Sequence, residues 1–211
     1  MRGYGLVTAA LVGGALLLFG VAEWAALPLL TDPVPAMRGA GVVAAFLGLG
    51  LLIADVFLPV PSSVVMVAHG ALFGLVPGAA LSLLGGVSAT LLAFALGRRG
   101  RGIVERVTTP SQRSAADRLL TRWGPWVVVS TRAVPVLAET VAVVAGTSSM
   151  RWSVLICAGA AGTAVPALLY AAAGAGADTA MSMLLAVGVA LAFSGLLAIA
   201  GARLRRSSPL P

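Results

Sequence analysis

Three ionisable side chains, Asp55, Arg132 and Glu139, lie inside otherwise apolar stretches of this 211-residue chain. A charge at the centre of a bilayer costs at least about 2.5–3.5 kcal/mol, so it needs a partner, a water-filled cavity or a function. A guanidinium binds phosphate oxygens bidentately and keeps its proton. We therefore predict that Arg132 contacts a phosphate within the membrane, with Asp55 and Glu139 as proton or charge partners. Purely structural pairing of Arg132 with either carboxylate is the alternative.

Prolines interrupt the same stretches close to these charges. Pro59 and Pro61 follow Asp55, and Pro135 follows Arg132. Proline lacks a backbone N–H and clashes with the preceding turn, and it also pushes the residue before it out of the helical region. The sequence therefore predicts two helix breaks, which would shape a path for substrate.

Three polar residues follow the first break. Ser62 and Ser63 are good N-caps, and the N-terminus of the half-helix that they open favours an anion. Plain capping is the alternative role for both serines. His69 is the only histidine of the chain and lies two helical turns further on. It is a candidate proton relay, with a packed neutral ring as the alternative.

The composition defines the class of protein in which these residues act. Apolar residues make up 59% of the chain, charged residues only 10%, and the mean hydropathy is +1.02. A soluble domain carries about 25% charged residues, so we expect an integral membrane protein. The net charge is +7, and all 14 basic residues are arginines. They lie mostly between apolar segments, which favours orientation and contact with anionic lipid over binding of nucleic acid.

The chain is expected to form a single membrane domain. Residues 6–27 are predicted to form a first transmembrane helix and residues 180–204 a last one, around a core at 43–177. The arginine-rich segment 98–122 and the basic C-terminal tail are expected to be cytoplasmic, because positive charge is retained on that side. The predicted location is the plasma membrane, with several passes.

Two kinds of apolar segment alternate within the core. Residues 79–97 and 155–174 are predicted to cross the bilayer, since a span needs about 20 apolar residues. Residues 39–73 and 123–146 carry the charges and breaks, and they are predicted to form re-entrant hairpins that enter from opposite sides. Trp123 opens the second hairpin at the end of the polar segment.

The two halves of the core resemble each other weakly. Residues 58–70 and 134–146 share five of thirteen positions without gaps, including Pro59 with Pro135 and Gly70 with Gly146. Inverted repeats with broken helices are typical of transporters. The predicted fold is an all-α polytopic membrane protein, in which an inverted repeat of re-entrant hairpin plus transmembrane helix is flanked by transmembrane helices.

Catalytic constellations are scarce. One histidine, one cysteine and no lysine exclude a multi-histidine metal site, a cysteine pair and a Ser–Lys dyad. The sequence contains no phosphate-binding loop and no dinucleotide fingerprint. We therefore predict a protein that is not an enzyme and that uses no cofactor or metal.

The order and spacing of these motifs resemble one family. LPVPSSVVMVAHGALFG and RAVPVLAETVAVVAGTSSMRW, each followed by a Gly-rich span, are similar to the DedA-like or SNARE-associated (VTT-domain) membrane proteins over residues 43–177. The resemblance implies two opposed re-entrant helices in an inverted repeat, and movement of lipids between leaflets. For bacterial members it implies translocation of polyprenyl phosphate, often linked to the proton gradient. For eukaryotic members it implies phospholipid scrambling.

The family motif extends to particular positions. Arg132 and Pro135 match its Arg-x-x-Pro and Gly146 the glycine that follows, while Pro61 and Ser62 match the turn after the first break. The chain departs from the family at three places. Ser63 replaces an acid, Ala138-Glu139 replaces a second arginine, and an acid upstream of the first turn is missing unless Asp55 replaces it. The departures concern substrate and proton coupling rather than fold.

These observations predict a membrane lipid translocase of the flippase or scramblase kind. It would move a phosphate-bearing lipid, such as polyprenyl phosphate or phospholipid, between leaflets, with protons or another ion as candidate coupling ions. One alternative is a secondary transporter for a small ion or solute that uses the same intramembrane charged site. Another is a membrane scaffold whose charges merely pair. The expected partners are membrane lipids and the coupling ion, and not nucleic acid.

Overall fold

The structure is a computed structural model that describes residues 41–58, 60–102, 109–132 and 137–176, together with the isolated residues 13, 14, 17, 37, 106 and 188. The predicted first and last transmembrane helices, at 6–27 and 180–204, lie almost entirely outside the described residues. Within the described ranges every regular element is an α-helix, so the all-helical fold class is confirmed for this part of the chain.

Six helices form the described core. They are α1 (Val42–Ala54), α2 (Ser62–Phe73), α3 (Leu75–Arg99), α4 (Pro110–Thr131), α5 (Leu137–Thr147) and α6 (Trp152–Gly174). One order of elements therefore occurs twice, since a helix, a break and a short helix are followed each time by a long helix. The long helices α3 and α6 are long and apolar enough to cross a bilayer.

The two predicted breaks are both present. The first separates α1 from α2, and α2 begins at Ser62, as predicted. The predicted capping role is wrong, because Pro61 is the N-cap, no side chain caps the helix, and the Ser62 hydroxyl donates to Asp55 instead. Pro61 precedes α2 with φ −71° and ψ 79°, outside the helical region. The second break separates Thr131, the last residue of α4, from Leu137, the first of α5. Pro59 and Pro135, to which the breaks were assigned, lie outside the described residues.

Two predicted boundaries are wrong. The connection after α2 is shorter than predicted, because Gly74 alone, with φ +83°, separates α2 from α3. Pro77 lies in the first turn of α3, where its missing N–H is not needed for helical bonding. The polar segment and the first arm of the second hairpin form one helix, because α4 begins at Pro110 and passes through Pro125 without ending.

The long helices occupy the centre of the packing. Helix α3 contacts α1, α2, α5 and α6, and helix α6 contacts α2, α3 and α4. These contacts correspond between the two halves. Helix α1 contacts α3 as α4 contacts α6, and α1 contacts α2 as α4 contacts α5. Likewise, α2 contacts α6 as α5 contacts α3. Only the extensive contact between α2 and α3 has no equally extensive counterpart, which would be a contact between α5 and α6. The packing therefore follows the internal duplication, while the re-entrant, inverted arrangement remains a prediction.

Glycines allow the closest of these corresponding contacts. A Cβ atom on Gly97 of α3 would collide with the carbonyl oxygen of Val143 on α5, and one on Gly174 of α6 would collide with that of Val67 on α2. Val67 and Val143 are paired in the ungapped alignment of the two halves. Small residues let helices approach closely where lipid removes the hydrophobic drive for association. The short helices α2 and α5 thus dock on the opposite long helix in the same way.

Candidate functional site

The Asp55 carboxylate links the two helices that flank the first break. Asp55 directly follows the last residue of α1. Its Oδ2 accepts a hydrogen bond of 2.6 Å from the Ser62 hydroxyl, and its Oδ1 accepts one of 3.1 Å from the Val60 N–H. Because Ser62 is the first residue of α2, one side chain holds the end of α1 to the start of the next helix.

The second break carries the opposite charge at the corresponding place. Arg132 directly follows the last residue of α4, and its Nη1 lies 3.8 Å from Oε1 of Glu139 in the first turn of α5. The Arg132 side chain is only 8% exposed. A charge-assisted N–H···O bond measures about 2.7–2.9 Å, so this ion pair is loose.

Arg132 also reaches the other half of the chain. Its Nη2 donates a hydrogen bond to the hydroxyl of Thr90 on α3. Its Nε has no hydrogen-bond partner among the described residues. Counting only partners in the described ranges, the guanidinium is therefore buried, hydrogen-bonded through Nη2 and left with unused donors.

The structure brings the three predicted charges together. Asp55 interacts electrostatically with both Arg132 and Glu139. The cluster therefore joins the two helix breaks, although more than seventy positions separate Asp55 from Arg132 in the sequence. With both carboxylates ionised, it carries one negative charge in excess. We call Asp55, Arg132 and Glu139 the charged cluster.

Three other predicted residues lie in different surroundings. Pro61 precedes the first turn of α2 and Ser63 is half-buried within that turn. Gly146 belongs to the crossing of α5 with α3, where a Cβ atom would collide with the carbonyl oxygen of Phe94. These contacts indicate that Gly146 has a packing role. Among the residues that the structure describes, no contact links Ser63 or Gly146 to the charged cluster.

His69 is buried in a separate polar contact. Its Nδ1 lies 3.1 Å from the Ser82 hydroxyl, and its ring packs against Phe73 with centroids 6.3 Å apart. Its Nε2 faces Gly48 of α1, where any Cβ atom would collide with it, and within the described ranges this nitrogen has no hydrogen-bond partner. The geometry favours the packed ring, and the proton-relay role remains a prediction.

Sequence reasoning missed Thr90 and Gly162 as parts of the site. Thr90 is 1% exposed and holds Arg132, while a Cβ atom on Gly162 of α6 would lie 2.6 Å from Cγ of Arg132. The one available signal was the pairing of Gly162 with Gly86 in the two halves. A single threonine in an apolar span carries no signal of its own.

A second polar contact set lies where α5 turns into α6. Arg98, at the end of α3, donates to the carbonyl oxygens of Ser148 at 3.0 Å and Met150 at 2.6 Å. Asp117 of α4 accepts from the N–H and the hydroxyl of Ser149 at 2.7 and 2.9 Å. Arg98, for which the sequence predicted a role in orientation and contact with anionic lipid, thus also anchors this turn.

The described residues offer no group of three or more His, Cys, Asp or Glu side chains placed to hold a metal ion. Broken helices that meet at a partly buried charged cluster, packed with two helices long and apolar enough to cross a bilayer, are typical of a helical membrane protein. The VTT domain model matches residues 60–176, which is more than half of the chain. The chain therefore belongs to the VTT-domain family, that of the DedA and SNARE-associated proteins, which is membrane-associated and transport-related. Comparison with the curated proteins and with the solved structures gives no match.

Proposed function

We propose that this protein moves a phosphate-bearing lipid between the leaflets of the plasma membrane and that Arg132 contacts the phosphate. The observation that carries the proposal is the state of its guanidinium. It is buried between two helix breaks, its ion pair with Glu139 is loose at 3.8 Å, and its Nε has no partner in the part of the chain that the structure describes. A phosphate oxygen accepts such charge-assisted hydrogen bonds well.

The charge balance of the cluster favours a coupled proton. Two carboxylates and one guanidinium leave one negative charge in excess, and a bound phosphate monoanion adds another. Like charges at close range in a weakly polar medium repel strongly. Protonation of Asp55 or Glu139 would remove that repulsion, so lipid and proton would enter the cluster together. The lipid would be polyprenyl phosphate or a phospholipid.

Helix lengths support a re-entrant topology. Helices α1, α2 and α5 have 13, 12 and 11 residues, which gives lengths of about 17–20 Å at 1.5 Å per residue. The hydrocarbon core of a bilayer is about 30 Å thick. We therefore propose two re-entrant hairpins that enter the bilayer from opposite sides. Helices α1 and α2 form one hairpin, and the C-terminal end of α4 with α5 forms the other. Helices α3 and α6 would cross it, with segment 98–122 and the C-terminal tail in the cytoplasm.

The test is leaflet-to-leaflet movement of fluorescent polyprenyl phosphate and fluorescent phospholipid in proteoliposomes. We expect the wild type to accelerate movement of one of them and Arg132→Ala to abolish the acceleration. Arg118→Ala is the matched control, because Arg118 is exposed on α4 and loses the same charge. The control should keep wild-type rates. Folded wild-type protein that accelerates no lipid would refute the proposal.

The excess of carboxylates favours a second candidate, a secondary transporter for protons or another small cation. This reading uses the same cluster, with the Ser62 hydroxyl bonded to Asp55 as a further oxygen. It predicts ion flux in vesicles of neutral lipid that contain no phosphate substrate, measured with a pH-sensitive dye. Flux without lipid movement would select this candidate, and a scaffold would show neither.

A further inference from the structure

Thr90 has the geometry of a fixed acceptor. Its hydroxyl donates a hydrogen bond of 2.7 Å to the carbonyl oxygen of Gly86, four residues earlier on α3. That bond uses the one hydroxyl hydrogen and leaves only lone pairs for other partners. Nη2 of Arg132 donates to this oxygen. Thr90 therefore holds the guanidinium from the half of the chain that does not contain Arg132.

Helix α6 supports both side chains of this contact. A Cβ atom on Gly159 would lie 3.2 Å from the Thr90 methyl carbon, and one on Gly162 would lie 2.6 Å from Cγ of Arg132. The Arg132 side chain thus passes α6 at Gly162, and Thr90 packs against Gly159, about one helical turn away. Both side chains therefore lie against the surface of α6.

The hydrogen bond to Thr90 accounts for the loose ion pair. Arg132 is long and flexible, and Glu139 lies only seven positions further along the chain, yet their nearest atoms stay 3.8 Å apart. An unrestrained arginine would close this distance, because a charge-assisted bond is shorter and stronger. The contact across the helices opposes that closure.

We propose that Thr90 is a positioning residue that keeps Arg132 from closing its ion pair with Glu139 and so leaves a guanidinium edge available to phosphate. The role in lipid movement rests on the proposed function, whereas the restraint on the ion pair does not. Without the threonine hydroxyl, Glu139 would form a close ion pair with the guanidinium. It would then compete with the lipid phosphate for Arg132.

The functional test uses four variants in the proteoliposome assay. Thr90→Val keeps the shape and removes the hydroxyl, and we expect it to slow lipid movement about tenfold or more, since a hydrogen bond to a charged group is worth roughly ten- to hundredfold in an equilibrium. Thr90→Ser keeps the hydroxyl and should retain most of the rate. Glu139→Gln alone sets the reference rate, and Thr90→Val combined with Glu139→Gln should match that reference, because the competing carboxylate is gone. A double variant that falls below Glu139→Gln alone by the same factor as Thr90→Val falls below the wild type would overturn the proposal.

A second test is independent of transport. The coupling between Arg132→Gln and Glu139→Gln is measured as the non-additive part of their melting-temperature shifts, using the full-length protein in detergent. We expect this coupling to grow in the Thr90→Val background. Unchanged coupling would overturn the positioning role. Increased coupling in a protein that moves no lipid would uphold the restraint and refute the proposed function. If Thr90→Val does not fold, Thr90→Ala replaces it in both tests.

Discussion

Arg98 and Arg99 are neighbours with the same charge, and the structure predicts opposite outcomes when each is changed to methionine. Arg98 donates to the carbonyl oxygens of Ser148 and Met150 at 3.0 and 2.6 Å, and its guanidinium carbon lies 4.8 Å from the centre of the Phe94 ring. Arg99 is exposed. Both changes remove one positive charge from the same end of α3, so any effect on membrane orientation is shared.

The size of the effect follows from these contacts. Each hydrogen bond to a charged group contributes about 1.5–3 kcal/mol, and a cation–π contact adds about 0.5–2 kcal/mol. Arg98 is partly exposed, and its buried Nε has no partner in the described ranges, so the lower end of each range applies. We therefore expect Arg98→Met to lower the free energy of unfolding by about 3.5 kcal/mol. Arg99→Met should lower it by less than about 0.5 kcal/mol.

The measurement is reversible unfolding of both variants in mixed detergent micelles, with the wild type alongside. A combined Arg98→Met and Asp117→Asn variant should lose further stability, because Asp117 holds the same turn through Ser149. Arg98→Met and Arg99→Met proteins that unfold within about 1 kcal/mol of each other would refute the reasoning, since the hydrogen bonds would then carry no net stability.

Three further predictions concern packing, the first break and the charged cluster. Gly146→Val should destabilise the protein by about 3 kcal/mol, because the new side chain meets the backbone of α3. Gly50→Ala should be neutral in a thermal melt, because a Cβ atom there meets nothing within 4 Å. Ser62→Ala should cost about 1–2 kcal/mol through its lost bond to Asp55, and equal costs for Ser62→Ala and Ser63→Ala would contradict this. Lipid movement should accelerate as the pH is lowered, because proton uptake offsets the charge of the phosphate, and Asp55→Asn should weaken that dependence. A pH profile identical to that of the wild type would exclude Asp55 as the proton acceptor.

The sequence predicted the helix breaks because they depend on local chemistry. Helix α2 begins at Ser62, directly after Pro61, because proline disfavours the helical conformation in the residue before it and is tolerated at a helix start. The start of the second hairpin was wrong because it was placed where the charges end, near Trp123. Helix α4 continues past that point and through Pro125. Membrane proteins tolerate such a proline when neighbouring groups satisfy the freed backbone.

The rest of the site depends on helix crossings that no local pattern reveals. Thr90 and Arg132 are 42 positions apart, and Arg98 is 50 positions from Ser148. Each pair meets only because the short helices dock on the opposite long helix. The sequence could show that Arg132 needs a partner, since a buried charge is costly. It could not show which of several hydroxyl and carboxylate groups would lie within reach.

The duplicated backbone and the unequal charges together explain why the cluster can exist and still exchange partners. Asp55 and Arg132 each follow the last residue of a helix, and each contacts a side chain seven positions further on. Two carboxylates, or two arginines, at these corresponding places would repel each other across the breaks. One of each sign attracts instead, so the halves can meet without a ligand. The Asp55–Ser62 bond is short and fixed at 2.6 Å, whereas the Arg132–Glu139 pair is open at 3.8 Å. The first break is therefore the more tightly held one. If Arg132 is the phosphate contact that we propose, exchange with the lipid takes place at the second break, where Arg132 would give up Glu139 and keep Thr90.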